Sequence, residues 1–176
     1  MIMLSDVKVE IGQLNIHADK LYNFLVSEDP RMGYQRVGNI FNYLRTNNSL
    51  THGTIAEGVV VYQNNEIVAY AFIENFENRD DKVINHNDVH FHDLGVIHFR
   101  TKMSLRGKGY ASFVAKHFYS DIIKPLFERN RPNSFIIATG DAVPIILKAG
   151  LSPNKIATEF YSANTFESKV LSKWAA

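Results

Sequence analysis

The sequence predicts a single domain of mixed α/β (α+β) class, with helices flanking one central sheet. The hydrophobic patterns follow the order strand, two helices, three strands, helix, strand, helix, strand, which is typical of a layered structure built on one sheet. A glycine-bearing turn joins the third of the central strands to a helix. The 176 residues, 45% hydrophobic and 21% charged, suffice for one substantial core.

The first third of the chain has the pattern of one strand followed by two helices. Polar and apolar residues alternate imperfectly over residues 7–14, which indicates a strand. Apolar side chains recur at helical spacing over residues 18–26 and again over residues 33–46. Pro30 separates the two helices, because the residue before a proline avoids the helical conformation.

The middle of the chain has three strand patterns in succession. Residues 58–62 and 67–73 are apolar runs separated by a polar turn, which predicts a hairpin. Residues 74–87 are polar and of mixed charge, which predicts a long loop. Residues 91–100 predict the strand that leads into the glycine turn.

After the glycine turn, helical and strand patterns alternate. Pro125 is expected to kink or end the first helix of this part. Residues 135–138 predict a short buried strand, and Pro144 falls in the first turn of the next helix, where its missing N–H costs nothing. A last strand is predicted at residues 158–161, and a capping-box pattern at Asn164 predicts a closing helix.

The composition argues against several classes of protein. A formal net charge of +1 provides no large basic field for nucleic acid. The absence of cysteine excludes disulfides, thiolate metal sites and cysteine nucleophiles. No apolar run is long enough to span a membrane, and the first residues lack the features of a signal peptide. We therefore expect a cytoplasmic protein without nucleic-acid or membrane partners.

The turn Leu-Arg-Gly-Lys-Gly-Tyr-Ala, residues 105–111, is the most informative stretch of the chain. The first N–H groups of the helix that follows have no partner within the helix and lie at the positive end of its dipole. Gly107 and Gly109 let an anion approach the backbone without meeting a Cβ atom. The turn therefore predicts a cradle for a phosphate group.

Two common phosphate-binding patterns fit this turn poorly. The P-loop pattern requires serine or threonine after Gly-Lys, whereas Gly109 follows Lys108 here. The dinucleotide pattern is nearly met, but Glu128, at about the required distance, precedes the next apolar run instead of ending it. A nucleotide-binding oxidoreductase is therefore the weakest alternative.

The spacing Arg106-x-x-Gly109-x-Ala111 resembles the Q/R-x-x-G-x-G/A signature of the GNAT superfamily of N-acetyltransferases. This resemblance implies one GNAT-like domain over residues 1–176, with a mostly antiparallel central sheet flanked by helices. It also implies acetyl-CoA as the acyl donor, its pyrophosphate held by backbone amides of the turn. The residues then expected to hold acetyl-CoA are Thr101, Met103, Arg106, Gly107, Lys108, Gly109, Tyr110 and Ala111.

Residues 141–151 are similar to the family's helix after strand five and match it at Lys148 and Gly150. The tyrosine that often protonates the leaving thiolate in this family corresponds to Ile146 here. The asparagine often found just after strand five corresponds to Thr139. These two departures leave open a GNAT-like module that binds acyl-CoA or another protein without catalysis.

Acetyl transfer to an amine requires a polarised thioester carbonyl and a base that takes the amine proton. By position in the family, the amides of Thr101 and Met103 polarise the carbonyl. His98, in the strand before the turn, is a candidate base because histidine titrates near neutral pH. Strand alternation predicts that His98 shares a face with Leu94. Glu74, at the end of the preceding strand, is the alternative base.

The acceptor and any metal are less well determined by the sequence. The resemblance places the acceptor site between the two early helices, where Glu28 and Asp29 could attract a cationic amine. We expect an amine-bearing small molecule or protein as acceptor, and a homodimer is left open. His86, His90 and His92 suggest a metal-binding alternative, but their spacing is not diagnostic and we expect no metal.

Overall fold

The computed structural model describes residues 6–47, 54–76, 83–86, 89–138 and 140–158. The strands are β1 (Val7–Gln13), β2 (Thr54–Gln63), β3 (Glu66–Phe76), β4 (Val83–His86), β5 (Val89–Thr101), β6 (Ser134–Ala138) and β7 (Ile156–Thr158). The helices are α1 (Ala18–Glu28), α2 (Arg36–Asn47), α3 (Tyr110–Phe118), α4 (Lys124–Glu128) and α5 (Ala142–Ala149). None of these helices has the length and apolar character needed to cross a lipid bilayer.

All seven strands belong to one sheet. Six follow the order β1-β2-β3-β5-β6-β7, and β4 pairs with the beginning of β5. The pairs β1–β2, β2–β3, β3–β5 and β4–β5 are antiparallel, whereas β5–β6 and β6–β7 are parallel. The mixed α+β class and the mostly antiparallel sheet expected from the sequence are thus confirmed.

Helices cover both faces of this sheet and give the molecule two hydrophobic cores. Tyr70 and Phe72 of β3 pack on the face that α1 and α2 cover. Ala71 and Ile73 of the same strand pack on the other face, which α3 and α5 cover. Because successive side chains of a strand point to opposite faces, one apolar strand can serve both cores.

Two segments differ from their predictions. Within the stretch predicted to be a loop, β3 continues to Phe76 and β4 forms over Val83–His86. The backbone of β4 pairs with that of β5, and such pairing requires no hydrophobic alternation that the sequence would reveal. β7 begins at Ile156, two residues before the predicted start of the last strand, and residues 159–161 of that prediction lie outside the described residues. The predicted closing helix at Asn164 lies outside the described residues.

The helical segment containing Pro125 continues where a break was expected. The α-helical hydrogen bonding does end at Phe118, but a π-helical turn, Tyr119–Ile123, leads directly into α4. Pro125 lies in the first turn of α4, directly after this π turn. The π turn thus lets the chain pass a proline while Ile122 and Leu126 stay in the core.

A β-bulge interrupts β5 at Gly95. Between Asp93 and Val96, β5 has one residue more than the paired stretch of β6. Gly95 has a φ of 142°, and a Cβ atom there would lie 2.3 Å from the carbonyl oxygen of Glu74. The left-handed backbone and this close approach together require glycine.

The bulge reverses the facing of the rest of β5. Leu94 and Ile97 both belong to the core under α3 and α5, although uninterrupted alternation would put them on opposite faces. The expectation that His98 shares a face with Leu94 is therefore wrong. His98 stacks on Phe72, on the face covered by α1 and α2.

Candidate functional site

The candidate site begins where β5 and β6 separate. Among the described residues, their last pair is Ile97 with Ala138, whereas β5 continues to Thr101 and the described pairing of this extension is with β3 on its other side. The N–H of Lys102 donates to the carbonyl of Val68 at 2.7 Å. Because backbone groups of successive strand residues point to opposite edges, the N–H of Thr101 points to the edge that β6 has left.

An open cleft of about 640 Å³ occupies this gap. The end of β5, the glycine turn and the first turns of α3 and α5 surround it. Its lining consists of Tyr70, Phe99, Arg100, Thr101, Leu105, Arg106, Gly107, Gly109, Tyr110, Ala111, Ser112, Val114, Asp141, Ala142 and Ile145. Of the eight residues expected to hold acetyl-CoA, only Met103 and Lys108 lie outside this lining.

The glycine turn exposes its backbone to the cleft. Gly107 and Gly109 have φ angles of 77° and 91°, and a Cβ atom at either position would have no atom within 4 Å. The first backbone bond of α3 runs from the N–H of Phe113 to the carbonyl of Gly109 at 3.1 Å. The N–H groups before Phe113 are therefore free of intrahelical acceptors and open to an anion.

Met103 and Tyr110, two of the residues expected to hold acetyl-CoA, also make hydrogen bonds within the chain. The N–H of Met103 donates to Glu28 Oε1 at 2.6 Å, so a carboxylate of the chain already occupies this amide. The hydroxyl of Tyr110 donates to Gln63 Oε1 at 2.7 Å, which fastens the start of α3 to the end of β2. Of the two amides expected to polarise the thioester carbonyl, those of Thr101 and Met103, the Thr101 amide is therefore the one available to a ligand.

The two candidate bases form one cluster with an arginine. The Glu74 side chain is buried, and Nε and Nη2 of Arg36 both lie 2.6 Å from its Oε1 atom. His98 Nε2 lies 3.3 Å from the same oxygen. The imidazole also stacks on Phe72, with ring centroids 4.8 Å apart. Arg36, at the start of α2, was not indicated by any sequence motif.

The cluster keeps Glu74 ionised although it is buried. Burial alone raises the pKa of a carboxyl group. The hydrogen bond and charge of His98, together with the charge of Arg36, outweigh this effect, so the pKa of Glu74 is lowered from 4.5. The buried Glu74 carboxylate, bound to Arg36 on one side, holds the His98 ring in one orientation through its contact with Nε2.

We expect the Glu74→Gln variant to be less stable than the parent at pH 7, by about 1–3 kcal/mol, because a neutral amide loses the charged hydrogen bonds that the buried carboxylate makes with Arg36 and His98. The folded-state pKa of Glu74 lies below its ordinary value, so its contribution is complete above about pH 4.5 and is lost as the pH falls through the lower folded value. The stability gap between parent and variant should therefore shrink on acidification. Urea unfolding at pH 7, 5 and 3.5 measures it.

Glu66 provides the control for this experiment. Its carboxylate is exposed and lies 3.8 Å from Lys102 Nζ, so Glu66→Gln should change stability little at any pH. A Glu74→Gln variant as stable as the parent at pH 7 would contradict the proposed electrostatic role of the cluster.

Tyr70 and Arg100 border the cleft on the α1–α2 side of the sheet, and sequence reasoning missed both. They are paired across β3 and β5. Burial raises the pKa of Tyr70, with the charge of Arg100 acting in the opposite direction, so the phenol stays protonated at neutral pH. The Arg100 Nε atom is buried, and no residue described by the structure accepts its hydrogen bond. An arginine inside a predicted strand was the available signal for this position.

The residue of α5 that faces the cleft is not the one that the family resemblance indicated. Ile146, which corresponds to the family's tyrosine, is fully buried in the core under α3 and α5. Ile145 lines the cleft instead. Neighbouring residues of a helix point about 100° apart, so a shift of one residue in the alignment exchanges a core position for a cleft position.

We expect Ile145→Tyr to fold normally and Ile146→Tyr to lose about 1–3 kcal/mol of stability. The first substitution extends into open cleft, whereas the second forces a larger, polar side chain into a packed core. Thermal unfolding of the two variants, which carry the same chemical change, is the measurement. A more stable Ile146→Tyr protein would show that α5 presents the other residue to the cleft.

No metal centre emerges from the residues that the structure describes: they contain no group of three His, Asp or Glu side chains arranged to hold a metal ion. The side chains of His86 and His90, and the whole of Thr139, lie outside the described part of the chain.

Several solved structures resemble this one. An uncharacterized protein from Bacillus halodurans has 14% identity and a TM-score of 0.50, over 98% of this chain and 91% of that chain. A predicted acetyltransferase from Clostridium acetobutylicum, solved with acetyl-CoA, has 16% identity and a TM-score of 0.49, over 92% of this chain and 97% of that chain. A GCN5-related N-acetyltransferase from Ralstonia eutropha JMP134 has 15% identity and a TM-score of 0.48, over 88% and 97%.

These similarities concern the fold alone, because the identities are so low. No protein-family model and no curated protein matches the sequence. Any assignment of activity must therefore come from the geometry of the cleft and from the motif in the glycine turn.

Proposed function

We propose that the chain is an acetyl-CoA-dependent N-acetyltransferase that acts on a primary amine. The observation that carries this proposal is that an anion-binding turn and a free strand edge border the same cleft. The open glycine turn provides an anion-binding helix start at one end. The free edge of β5, with the Thr101 amide pointing into the gap, provides a hydrogen-bond donor farther along. A long ligand with a phosphate group and a carbonyl group fits this pair of features.

The chain's own residues would bind the donor in two places. The N–H groups between Gly107 and Ser112 would hold the pyrophosphate, and the charge of Arg106 lies beside them. The N–H of Thr101 would donate to the carbonyl oxygen as negative charge develops there. Acetyl-CoA, when bound, supplies the thioester whose acetyl group is transferred to the amine.

His98 is the proposed base in this reaction. An amine must lose its proton to attack a carbonyl carbon, and neutral imidazole can accept it. We assign the Nε2 proton of His98 to the hydrogen bond with Glu74, which leaves the lone pair of Nδ1 to take the amine proton. Arg36 and Glu74 act through His98 by holding its ring, and are positioning residues.

Tyr70 is the proposed donor to the departing thiolate. It borders the cleft, and burial raises its pKa, so the hydroxyl remains protonated at neutral pH. A hydrogen bond from this hydroxyl stabilises the sulfur as it gains negative charge. In the family that the turn resembles, a tyrosine of the helix after strand five often has this role, and Ile145 and Ile146 cannot take it here.

The decisive experiment measures thermal unfolding with acetyl-CoA, CoA or NAD, each added separately. Acetyl-CoA and CoA should raise the Tm and NAD should not, because CoA carries beyond its pyrophosphate an extended arm with amide groups that can pair with the free edge of β5, and NAD carries none. A panel of primary amines is then assayed for release of free thiol, and turnover of at least one is expected. A Tm that neither acetyl-CoA nor CoA raises would overturn the proposal, and a shift with NAD alone would favour the oxidoreductase.

A non-catalytic acyl-CoA-binding module is the second candidate. One observation favours it: α5 presents Ile145, a side chain without a hydroxyl, to the cleft. Binding of acetyl-CoA without thiol release over the whole amine panel would support this second function.

A further inference from the structure

Arg100 stands out among the charged residues on the α1–α2 side of the cleft. Its Nε atom is buried and has no hydrogen-bond partner in the described part of the chain. A guanidinium group is always charged and carries only donors, so an unpaired buried N–H is unfavourable until an acceptor arrives. Arg100 also lines the cleft, where such an acceptor could enter.

The neighbouring charges are already engaged. Arg31 binds Asp29 through its Nε and Nη2 atoms, at 3.1 and 2.9 Å. Arg36 binds Glu74, as described above, and the Glu28 carboxylate accepts the N–H of Met103. Arg100, by contrast, forms no salt bridge among the described residues.

The position of Arg100 relative to the proposed base limits what it can bind. Arg100 and His98 project from the same face of β5, two residues apart, since no bulge lies between them. Their backbones are therefore about 6.6 Å apart. The glycine turn that would hold the phosphates of the donor lies with α3, which covers the other face of the sheet. A group bound by Arg100 therefore belongs to the acceptor.

We infer that the acceptor is an amine carrying a carboxylate or phosphate a few bonds from its nitrogen, and that Arg100 binds this anionic group. The inference rests on the proposed function and names the class of acceptor for the same site. The planar fork of a guanidinium matches both anions and pairs with them through two parallel hydrogen bonds. With the anion on Arg100, the amine of a short acceptor reaches the neighbourhood of His98.

The test uses pairs of amines that differ only in the anion. Each common α-amino acid is compared with its carboxamide, and phosphoethanolamine with ethanolamine. Values of kcat/KM come from thiol release in the parent and in Arg100→Gln and Arg100→Lys. In at least one pair, the parent should have a higher kcat/KM for the anionic member. A preference within the amino-acid pairs indicates a carboxylate, and a preference for phosphoethanolamine indicates a phosphate. Arg100→Gln should lower kcat/KM for that member about a hundredfold, mainly through KM.

Two further readouts separate binding of the anion from a structural role. Arg100→Gln should keep the Tm shift with acetyl-CoA and its activity on the neutral member, and Arg100→Lys should recover part of the lost activity because it keeps the charge. The matched control is Arg129→Gln, an exposed arginine that pairs with Glu57 outside the cleft lining, and it should keep the preference of the parent. Where neither member of any pair is turned over, calorimetry compares their binding to the complex with CoA.

The proposal fails if the parent shows no preference for an anionic member by turnover or by binding. It also fails if Arg100→Gln weakens acetyl-CoA binding and lowers turnover of both members equally, because Arg100 would then serve the donor. Absence of any Tm shift with acetyl-CoA in the parent is a different result and removes the proposed function itself.

Discussion

Gly109→Glu is expected to abolish the rise in Tm that acetyl-CoA produces in the parent. A ligand that binds only the folded state, at a hundredfold excess over its Kd, stabilises by about 2.7 kcal/mol. For a domain of this size that is a shift of roughly 5 to 10 °C. Gly109 precedes α3, and the space beside its Cα is empty. A glutamate there would occupy the place of the pyrophosphate and repel its charge.

The variant should still unfold cooperatively, at a lower Tm. Gly109 has a φ of 91°, where a residue with a Cβ atom costs about 1–2 kcal/mol. Gly12→Glu is the matched control. Gly12 also has a positive φ, 137°, and a Cβ atom there would have open space around it. It lies in β1, an edge strand of the sheet. This control should lose stability and keep the full shift. Equal shifts in the two variants would place the phosphate cradle elsewhere.

His98→Ala is expected to lower kcat by about a hundredfold or more while leaving the Kd for acetyl-CoA nearly unchanged. His98 lies on the α1–α2 face of β5, whereas the glycine turn borders the cleft from the other layer. The lost rate should therefore come from proton transfer and not from binding of the donor. Steady-state kinetics and calorimetry separate the two quantities.

The pH dependence of the rate identifies the base. A general base gives the rate of the parent an acidic limb, because the protonated form of the base cannot accept the amine proton. His98→Ala should lack this acidic limb, and an unchanged profile would exclude His98. His117→Ala is the control. His117 lies on α3 with its ring partly exposed, 3.6 Å from Asp121, and its replacement should alter neither the rate nor the pH profile.

Most elements of the fold could be predicted because their signals are local. Helical spacing and apolar runs reveal α1, α2 and the β2–β3 hairpin without knowledge of their partners. The glycine turn was predictable for the same reason, since Gly107 and Gly109 lie within seven residues of each other and of the helix they precede. β4 was missed because only its pairing with β5 makes it a strand.

The remainder of the candidate site depends on distant parts of the chain. Glu74 is 38 residues from Arg36 and 24 from His98, so the sequence could suggest two rival bases but not one cluster. The unpaired Nε atom of Arg100 was equally hidden, because it depends on which of the neighbouring charged residues pair with one another. An error of one residue in matching α5 to the family's helix matters as well, because Ile145 lines the cleft whereas Ile146 is buried in the core.

The bulge at Gly95 has a consequence for how this chain could change over evolutionary time. Substitutions in β5 alter one side chain at a time, but deletion of a single residue at the bulge would exchange the two faces of everything after it. His98 and Arg100 would then point into the core under α3, while Ile97 and Phe99 would replace them beside Glu74. Sequences that share this site should therefore keep the length of β5 between Asp93 and the glycine turn more strictly than they keep its residues.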